Sequence, residues 1–139
     1  MPARAAESPA AAATFSGELC RGLGEGAGFV ALGWVRAGMR RALGFEPWPG
    51  TLNLRMGGDA WRRWRSGLAQ RPGIALLPAP GFCAAKCFKV RLNARAEAAA
   101  VFPEVDGYPD DKLELVAPVA LRAALSLHDG DAVQVQILP

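Results

Sequence analysis

The sequence predicts a mainly β protein, a compact β-barrel with a few short helices. Six or so short apolar segments are separated by glycine and proline clusters, and helical periodicity is confined to brief stretches. Strands and helices do not alternate regularly, which argues against a doubly wound sheet. Hydrophobic residues make up 51% of the 139 residues and charged residues 21%, so the chain has enough apolar side chains to bury a core.

The first 13 residues are predicted to be a flexible tail, and residues 14–139 a single barrel domain. Seven of the first fourteen residues are alanine, but two prolines and a glutamate interrupt them, which is unlike a secretory signal. No uncharged stretch is long enough to cross a bilayer, and the longest of them is also interrupted by prolines. We therefore expect no membrane association. Thr14–Arg21 alternates like a strand. Glycines then recur at every second position in GLGEGAG before the apolar run Phe29–Leu32.

The next segment predicts a helix, a turn and a strand. Helical spacing over Trp34–Leu43 ends at Gly44, a typical helix stop, and Phe45 supplies the apolar contact expected beyond it. The Pro-Trp-Pro-Gly turn at 47–50 fits neither a helix nor a central strand, so the strand Thr51–Met56 begins after it.

A tryptophan- and arginine-rich helix is predicted at Trp61–Leu68, with Asp59 as its N-cap. Trp61 and Trp64 are three residues apart and would face the core, while arginines coat the outside. The alternative is a nucleic-acid surface, because residues 36–95 hold twelve basic and two acidic residues. We favour the structural interpretation and expect no nucleic-acid partner.

The remaining elements are short. Pro118 suits the first turn of a short helix over Val119–Leu125. Strands are predicted at Ile74–Leu77, Cys87–Leu92 and Leu113–Ala117, and a closing strand contains the alternating residues Val133, Val135 and Ile137.

Histidine and cysteine usage excludes several kinds of chemistry. The single histidine, His128, lies in a turn-like Asp-Gly-Asp context, so triad hydrolysis and histidine-rich zinc sites are not expected. Three cysteines, Cys20, Cys83 and Cys87, form no disulfide framework and predict reduced thiols in a cytoplasmic protein. Cys83 and Cys87 could clip a metal, but no second ligand pair accompanies them, so packing is the favoured role.

Three polar features are candidates for chemistry. Period-two glycines leave backbone N–H groups accessible to phosphate oxygens, although a plain hairpin explains them equally well. Thr51 and Asn53 point to the same face of a strand, where they either bind Mg²⁺ or hydrogen-bond the preceding turn. Glu114 interrupts an apolar strand, so it lies either on the outer strand face or in a site.

Three blocks in order resemble the archaeal-type CTP-dependent riboflavin kinase family. They are GLGEGA, LGFEPWPGTLNL and LELVAPVALRAALSLHDGDAVQVQI, and the resemblance runs from about Thr14 to Ile137. It implies a six-stranded barrel of the cradle-loop type that transfers the γ-phosphoryl of CTP to the ribityl 5′-hydroxyl of riboflavin, giving FMN and CDP. We expect the enzyme to act as a monomer.

The resemblance also implies a set of site residues. Thr51 and Asn53 would bind Mg²⁺, and Glu114 matches a flavin-contacting glutamate that we expect to orient the ribityl hydroxyl and to accept its proton. The CTP-binding residues would be Gly22, Leu23, Gly24, Glu25, Gly26 and Ala27 on one side and Val119, Ala120, Leu121 and Arg122 on the other.

One short stretch departs from the family pattern at two positions. The usual Thr-His-Tyr-Pro, whose threonine touches flavin, is here Asp106-Gly107-Tyr108-Pro109. The Asp106 carboxylate could accept a hydrogen bond from a ribityl hydroxyl, but its charge repels a nearby triphosphate. The alternatives are therefore a barrel that binds flavin or nucleotide without turnover, or a kinase with another alcohol acceptor.

Overall fold

The computed structural model describes residues 13–20, 33–76 and 84–138. Seven strands are formed by these residues. They are β1 (Thr14–Cys20), β2 (Leu52–Met56), β3 (Ile74–Leu76), β4 (Ala85–Leu92), β5 (Ala96–Pro103), β6 (Lys112–Val116) and β7 (Ala132–Ile137). The helices of the same residues are α1 (Gly33–Leu43), α2 (Asp59–Ser66) and α3 (Leu121–Ala124), and a 3₁₀ turn spans Leu68–Gln70.

Six of these strands close into an antiparallel barrel. The order is β4-β5-β6-β2-β1-β7, and β7 pairs back onto β4, while β3 extends the sheet beside the first half of β4. This confirms the predicted six-stranded barrel. Closure pairs the edges that an open sheet would expose.

Strand alternation fills the barrel interior. On β1 and β2 the buried side chains alternate with exposed or half-buried ones, which places Leu19, Leu52 and Leu54 inside. The helix α2 covers one end of the barrel, where Trp61 and Trp64 stack at 5.7 Å and Trp61 meets Phe15 edge-on at 5.5 Å. The predicted inward tryptophans are therefore confirmed, and their burial leaves neither ring free to stack on nucleic-acid bases.

A second apolar cluster lies on the outer face of the sheet. Met39 and Leu43 of α1 pack against Cys87, Val101 and Val116, which point outward from β4, β5 and β6. This covered face explains why five consecutive residues of β5, from 98 to 102, are all buried. The strand was missed in the sequence because its run is alanine-rich and does not alternate.

The predicted ends of α1 agree with the structure within one residue, whereas those of α2 and α3 need correction: α2 begins and ends two residues before the predicted Trp61–Leu68. Gly44 has a positive φ of 82° and its N–H bonds the Arg40 carbonyl at 2.9 Å, as the helix stop predicted. Asp59 is not an N-cap: Gly58 occupies that position without a side-chain bond, and Asp59 pairs with Arg62 instead. The helix predicted at Val119–Leu125 is shorter, Leu121–Ala124, and Pro118 lies before it.

Several sequence expectations lie wholly or partly outside the described residues, among them the N-terminal tail, the glycine loop at 22–27, the strand Phe29–Leu32 and the environment of Cys83. None of the helices in the described part of the chain combines the length and the apolar character of a transmembrane span.

Candidate active site

Two candidate residues are direct neighbours on the outer face of the barrel. Asn53 of β2 pairs with Glu114 of β6, and on its other side with Cys20 at the end of β1. Residues directly opposite on antiparallel strands project to the same face, with Cβ atoms about 4.5–5.5 Å apart. Because the neighbouring leucines of both strands face the core, Asn53 and Glu114 face outward. Glu114 therefore lies on the outer strand face, and this position also places it beside Asn53, another candidate site residue.

The carboxylate of Glu114 is held by two partners. The Tyr108 hydroxyl donates a hydrogen bond to Glu114 Oε2, and Lys112 Nζ lies 3.8 Å from the same oxygen. The Glu114 side chain is only 19% exposed, so these contacts stabilise a charge that burial would otherwise penalise. Both of these partners contact the same carboxylate oxygen, Oε2.

Tyr108 is suited to remain a hydrogen-bond donor. Burial, followed by its hydrogen bond to Glu114 and the charge of that carboxylate, raises the pKa of Tyr108 above its ordinary value. Lys112 Nζ also lies 5.5 Å from the centre of the Tyr108 ring, within the range of a cation–π contact. Sequence reasoning missed both residues, although Tyr108 is the only tyrosine in the chain and precedes Glu114 by six positions.

Thr51 lies beside the segment that follows β6. The Trp48 N–H bonds the Ala117 carbonyl at 2.7 Å and ties the Pro-Trp-Pro-Gly turn to this segment. A cavity of about 170 Å³ opens there, lined among others by Trp48, Thr51 and residues 119–122. Trp48 and Val119 are 54% and 45% exposed, so apolar surface flanks the opening. The structure thus brings Thr51 together with Val119, Ala120, Leu121 and Arg122.

The oxygens of Thr51 and Asn53 fit a hard cation. Asn53 points outward from β2, and Thr51 directly precedes this strand, which begins at Leu52 and not at the predicted Thr51. Within the described residues neither side chain forms a hydrogen bond. The alternative that they bond the preceding turn is therefore not what the structure shows. A hydroxyl and an amide oxygen suit Mg²⁺, which keeps several waters and takes further ligands from substrate phosphates. The described residues contain no cluster of three histidine, cysteine or acidic side chains that would hold a metal without substrate.

One predicted site residue lies apart from this arrangement, and a second predicted feature lies outside the described residues. Asp106 lies in an exposed turn between β5 and β6, and its carboxylate forms no hydrogen bond or ion pair with the described residues. Residues 22–27 lie outside the described ranges. In the sequence they come shortly after Cys20, the last residue of β1, which pairs with Asn53. Asn53 in turn pairs with Glu114.

His128 and Cys87 take structural positions. The His128 side chain is 85% exposed in the turn before β7, where its backbone N–H bonds Asp131 Oδ2 at 2.8 Å. Cys87 is buried beneath α1, and this burial raises the pKa of its thiol to about 12. A thiol of that kind stays protonated and packs as a small apolar side chain.

Comparison with known proteins extends over nearly the whole chain. A family model described as a domain of unknown function, DUF120, and labelled CTP-dependent riboflavin kinase matches residues 19–137. The riboflavin kinase of Pyrobaculum aerophilum is 42% identical over 131 residues, which cover 88% of this chain and 59% of that protein. For the riboflavin kinase of Archaeoglobus fulgidus the identity is 40%, covering 88% and 53%.

A third relative matches along almost its full length. The riboflavin kinase of Aeropyrum pernix is 36% identical over 128 residues, which cover 89% of this chain and 95% of that protein. The chain therefore spans between half and two thirds of the first two relatives and nearly all of the third. The extent of the family match, with the blocks around GLGEGA, PGTLN and Glu114 in order, shows that the chain belongs to the CTP-dependent riboflavin kinase family.

Proposed function

We propose that this protein is a CTP-dependent riboflavin kinase that transfers the γ-phosphoryl of CTP to the ribityl 5′-hydroxyl of riboflavin, giving FMN and CDP. The observation that supports the proposal is that Asn53 and Glu114 are neighbours on the outer face of the barrel, close in the chain to the cavity lined by Thr51. The chain that carries them belongs to this family. The Aeropyrum pernix relative supports it further, because a protein of nearly this extent bears the name riboflavin kinase.

The nucleotide is assigned to the region around Thr51. Val119, Ala120, Leu121 and Arg122 would contact CTP from the cavity side, and the backbone of Gly22, Leu23, Gly24, Glu25, Gly26 and Ala27 would hold its phosphates. The flanking apolar surface of Trp48 suits the face of a nucleobase. When bound by the oxygens of Thr51 and Asn53, Mg²⁺ would neutralise charge on the transferred phosphoryl group.

Glu114 is proposed to orient and deprotonate the acceptor. The ribityl oxygen attacks the γ-phosphorus, the bond from that phosphorus to the β–γ bridging oxygen breaks, and CDP departs with the electron pair. The hydroxyl proton passes to the Glu114 carboxylate. Tyr108 and Lys112 both contact Oε2, which leaves Oε1 for the substrate hydroxyl. Phosphoryl transfer depends mainly on positioning and charge neutralisation, so no stronger base is required.

The proposal includes a monomeric enzyme in the cytoplasm. The prediction of reduced thiols is the basis for the location. Gel filtration with light scattering would test the monomer, and a dimer would correct it.

The first experiment incubates the purified protein with riboflavin and Mg²⁺, with CTP and ATP in separate reactions, and resolves FMN from riboflavin by chromatography. FMN formed with CTP but not with ATP is the expected result. Chelation of the metal should abolish turnover, and Asn53→Ala should raise the Mg²⁺ concentration needed for it. No FMN with either nucleotide, from protein shown to be folded by circular dichroism, would contradict the proposal.

The exposed Asp106 supports a second candidate, a barrel that binds flavin or nucleotide without phosphorylating riboflavin. A threonine at this position is usual in the family, and the carboxylate has no counter-charge among the described residues. Binding of riboflavin without FMN formation, reversed in Asp106→Thr, would favour this candidate. FMN formation by the unmodified protein would instead make Asp106 a tolerated variation.

A further inference from the structure

Two cations lie on the outer face of the barrel next to the candidate active site. Arg55 of β2 pairs with Lys112 of β6, and the pair of Asn53 and Glu114 lies two residues along the same two strands. Successive outward positions on a strand are about 6–7 Å apart, and opposite side chains are about 4.5–5.5 Å apart at Cβ. The four side chains therefore form one patch, in which the two cations adjoin Asn53 and Glu114.

Among the described residues, only one of the two cations has a close counter-charge. Lys112 Nζ is 3.8 Å from Glu114 Oε2. Arg55 is exposed, and its guanidinium forms no hydrogen bond or ion pair with the described part of the chain, although Glu18 lies opposite it on β1. Like charges directly opposite on neighbouring strands destabilise a sheet. An anion placed between Arg55 and Lys112 would relieve this repulsion.

The proposed reaction changes the counter-charge of Lys112. Before transfer, the anion beside Lys112 Nζ is the Glu114 carboxylate. When the ribityl oxygen forms its bond to the γ-phosphorus, its proton passes to Glu114 and neutralises that carboxylate. The new phosphate monoester is attached to the oxygen that Glu114 oriented, so its negative charge then lies beside the patch. An ammonium group and a guanidinium group both donate charge-assisted hydrogen bonds to phosphate oxygens.

Resting on the proposed function, we propose that Arg55 and Lys112 form a phosphate-binding site that receives the transferred phosphoryl group as the phosphate of FMN. Lys112 exchanges the Glu114 carboxylate for this phosphate, and Arg55 supplies a second cation from the neighbouring strand. Cations of this kind stabilise negative charge on a phosphoryl group during its transfer. The site also distinguishes FMN from riboflavin, because riboflavin has no phosphate.

Two ligands that differ only in the phosphate test the site. The affinities of FMN and riboflavin are measured by flavin fluorescence, without nucleotide and with metal ions chelated. We expect Arg55→Ala and Lys112→Ala each to weaken FMN binding ~10-fold, the scale of one charged hydrogen bond, and to leave riboflavin affinity nearly unchanged. Lys112→Arg keeps the charge and should retain most of the FMN affinity. Lys89→Ala is the control: it removes an exposed cation of β4, a strand that pairs with neither β2 nor β6, and should match the unmodified protein.

Two further measurements do not depend on the folding of the cation variants. Sodium chloride should weaken FMN binding by the unmodified protein and leave riboflavin binding nearly unchanged, because salt screens exposed charges. Glu114→Gln has a neutral side chain, like the protonated acid, and should bind FMN more tightly than the unmodified protein does. Equal salt dependence of the two flavins, or weaker FMN binding in Glu114→Gln, would contradict the proposal.

The same experiments distinguish failure of the phosphate site from failure of the kinase function. Equal weakening of FMN and riboflavin binding in Arg55→Ala or Lys112→Ala would indicate a structural role and overturn the proposal, as would unchanged FMN affinity. If the unmodified protein forms FMN, the kinase function would survive that result. If the unmodified protein forms no FMN but the variants lose FMN affinity selectively, the kinase function is overturned and the phosphate site stands.

Discussion

The two faces of β2 and β6 differ in burial and polarity although their residues alternate along each strand. Facing inward, Leu54, Leu113 and Leu115 are fully buried in the barrel core. Facing outward, Asn53 and Glu114 are half-buried neighbours at the candidate active site. Since strand periodicity is two, adjacent residues belong alternately to the core and to the candidate site, and single substitutions one position apart can test each face separately.

The largest expected effect is on the inner face. Leu54→Ala should lower the free energy of unfolding by about 2–5 kcal/mol, because it removes buried methyl groups and leaves a cavity. Urea unfolding followed by tryptophan fluorescence measures this change. Arg55→Ala, one position along and exposed, is the control and should stay within about 0.5 kcal/mol. Similar losses for both variants would contradict the division of the strand into two faces.

On the outer face, Glu114→Gln should reduce kcat about 100-fold or more while leaving the free energy of unfolding nearly unchanged. The amide keeps the shape of the side chain but cannot accept the hydroxyl proton. Steady-state kinetics together with calorimetric CTP affinity would separate the two roles of the residue. Equal losses in turnover and CTP affinity would refute the assignment of Glu114 as the base.

A smaller effect is expected at the residue that orients Glu114. Tyr108→Phe removes the hydrogen bond to Oε2 and should lower kcat about tenfold, the scale of one charged hydrogen bond. The KM for CTP should not change. In the double variant with Glu114→Gln, the tyrosine substitution should cost little more, since both act through one contact. Additive losses would indicate that Tyr108 acts elsewhere.

The smallest expected effect is a difference in thiol reactivity between the part of the outer face that α1 covers and the part near Asn53. Cys87 points outward but lies under α1, and burial raises the pKa of its thiol to about 12. Iodoacetamide at pH 8 should therefore leave Cys87 unmodified in the folded protein, whereas the half-buried Cys20 should react. The pKa of Cys87 in the folded protein lies above its ordinary value of 9.0, so burial of the neutral thiol stabilises the fold fully below pH 9. This stabilisation decreases as the pH rises from 9 towards 12, because the unfolded chain then loses the thiol proton more readily than the folded protein does. Peptide mass spectrometry measures the labelling, and equal labelling of the two cysteines would contradict the covered face.

Local patterns in the sequence anticipated much of the barrel but not β5. Alternation located β1, β2 and β7, and the tryptophan spacing of α2 predicted which rings are buried. The strand Ala96–Pro103 is buried on both faces, one by the core and one by α1, so it shows no alternation to detect. Asp59 satisfied the usual N-cap preference, yet the helix begins after a glycine with positive φ and Asp59 pairs with Arg62.

For the candidate site, likewise, the sequence predicted relations between residues close in the chain but not contacts between distant ones. The prediction that Thr51 and Asn53 lie close together used only their spacing of two positions, which is information from a single short segment. The pairing of Asn53 with Glu114 depends on strand register, and the contact of Tyr108 with Glu114 depends on how the segment between β5 and β6 folds back. Those relations join residues far apart in the chain, and they arise only when burial of the core selects one register for the whole barrel.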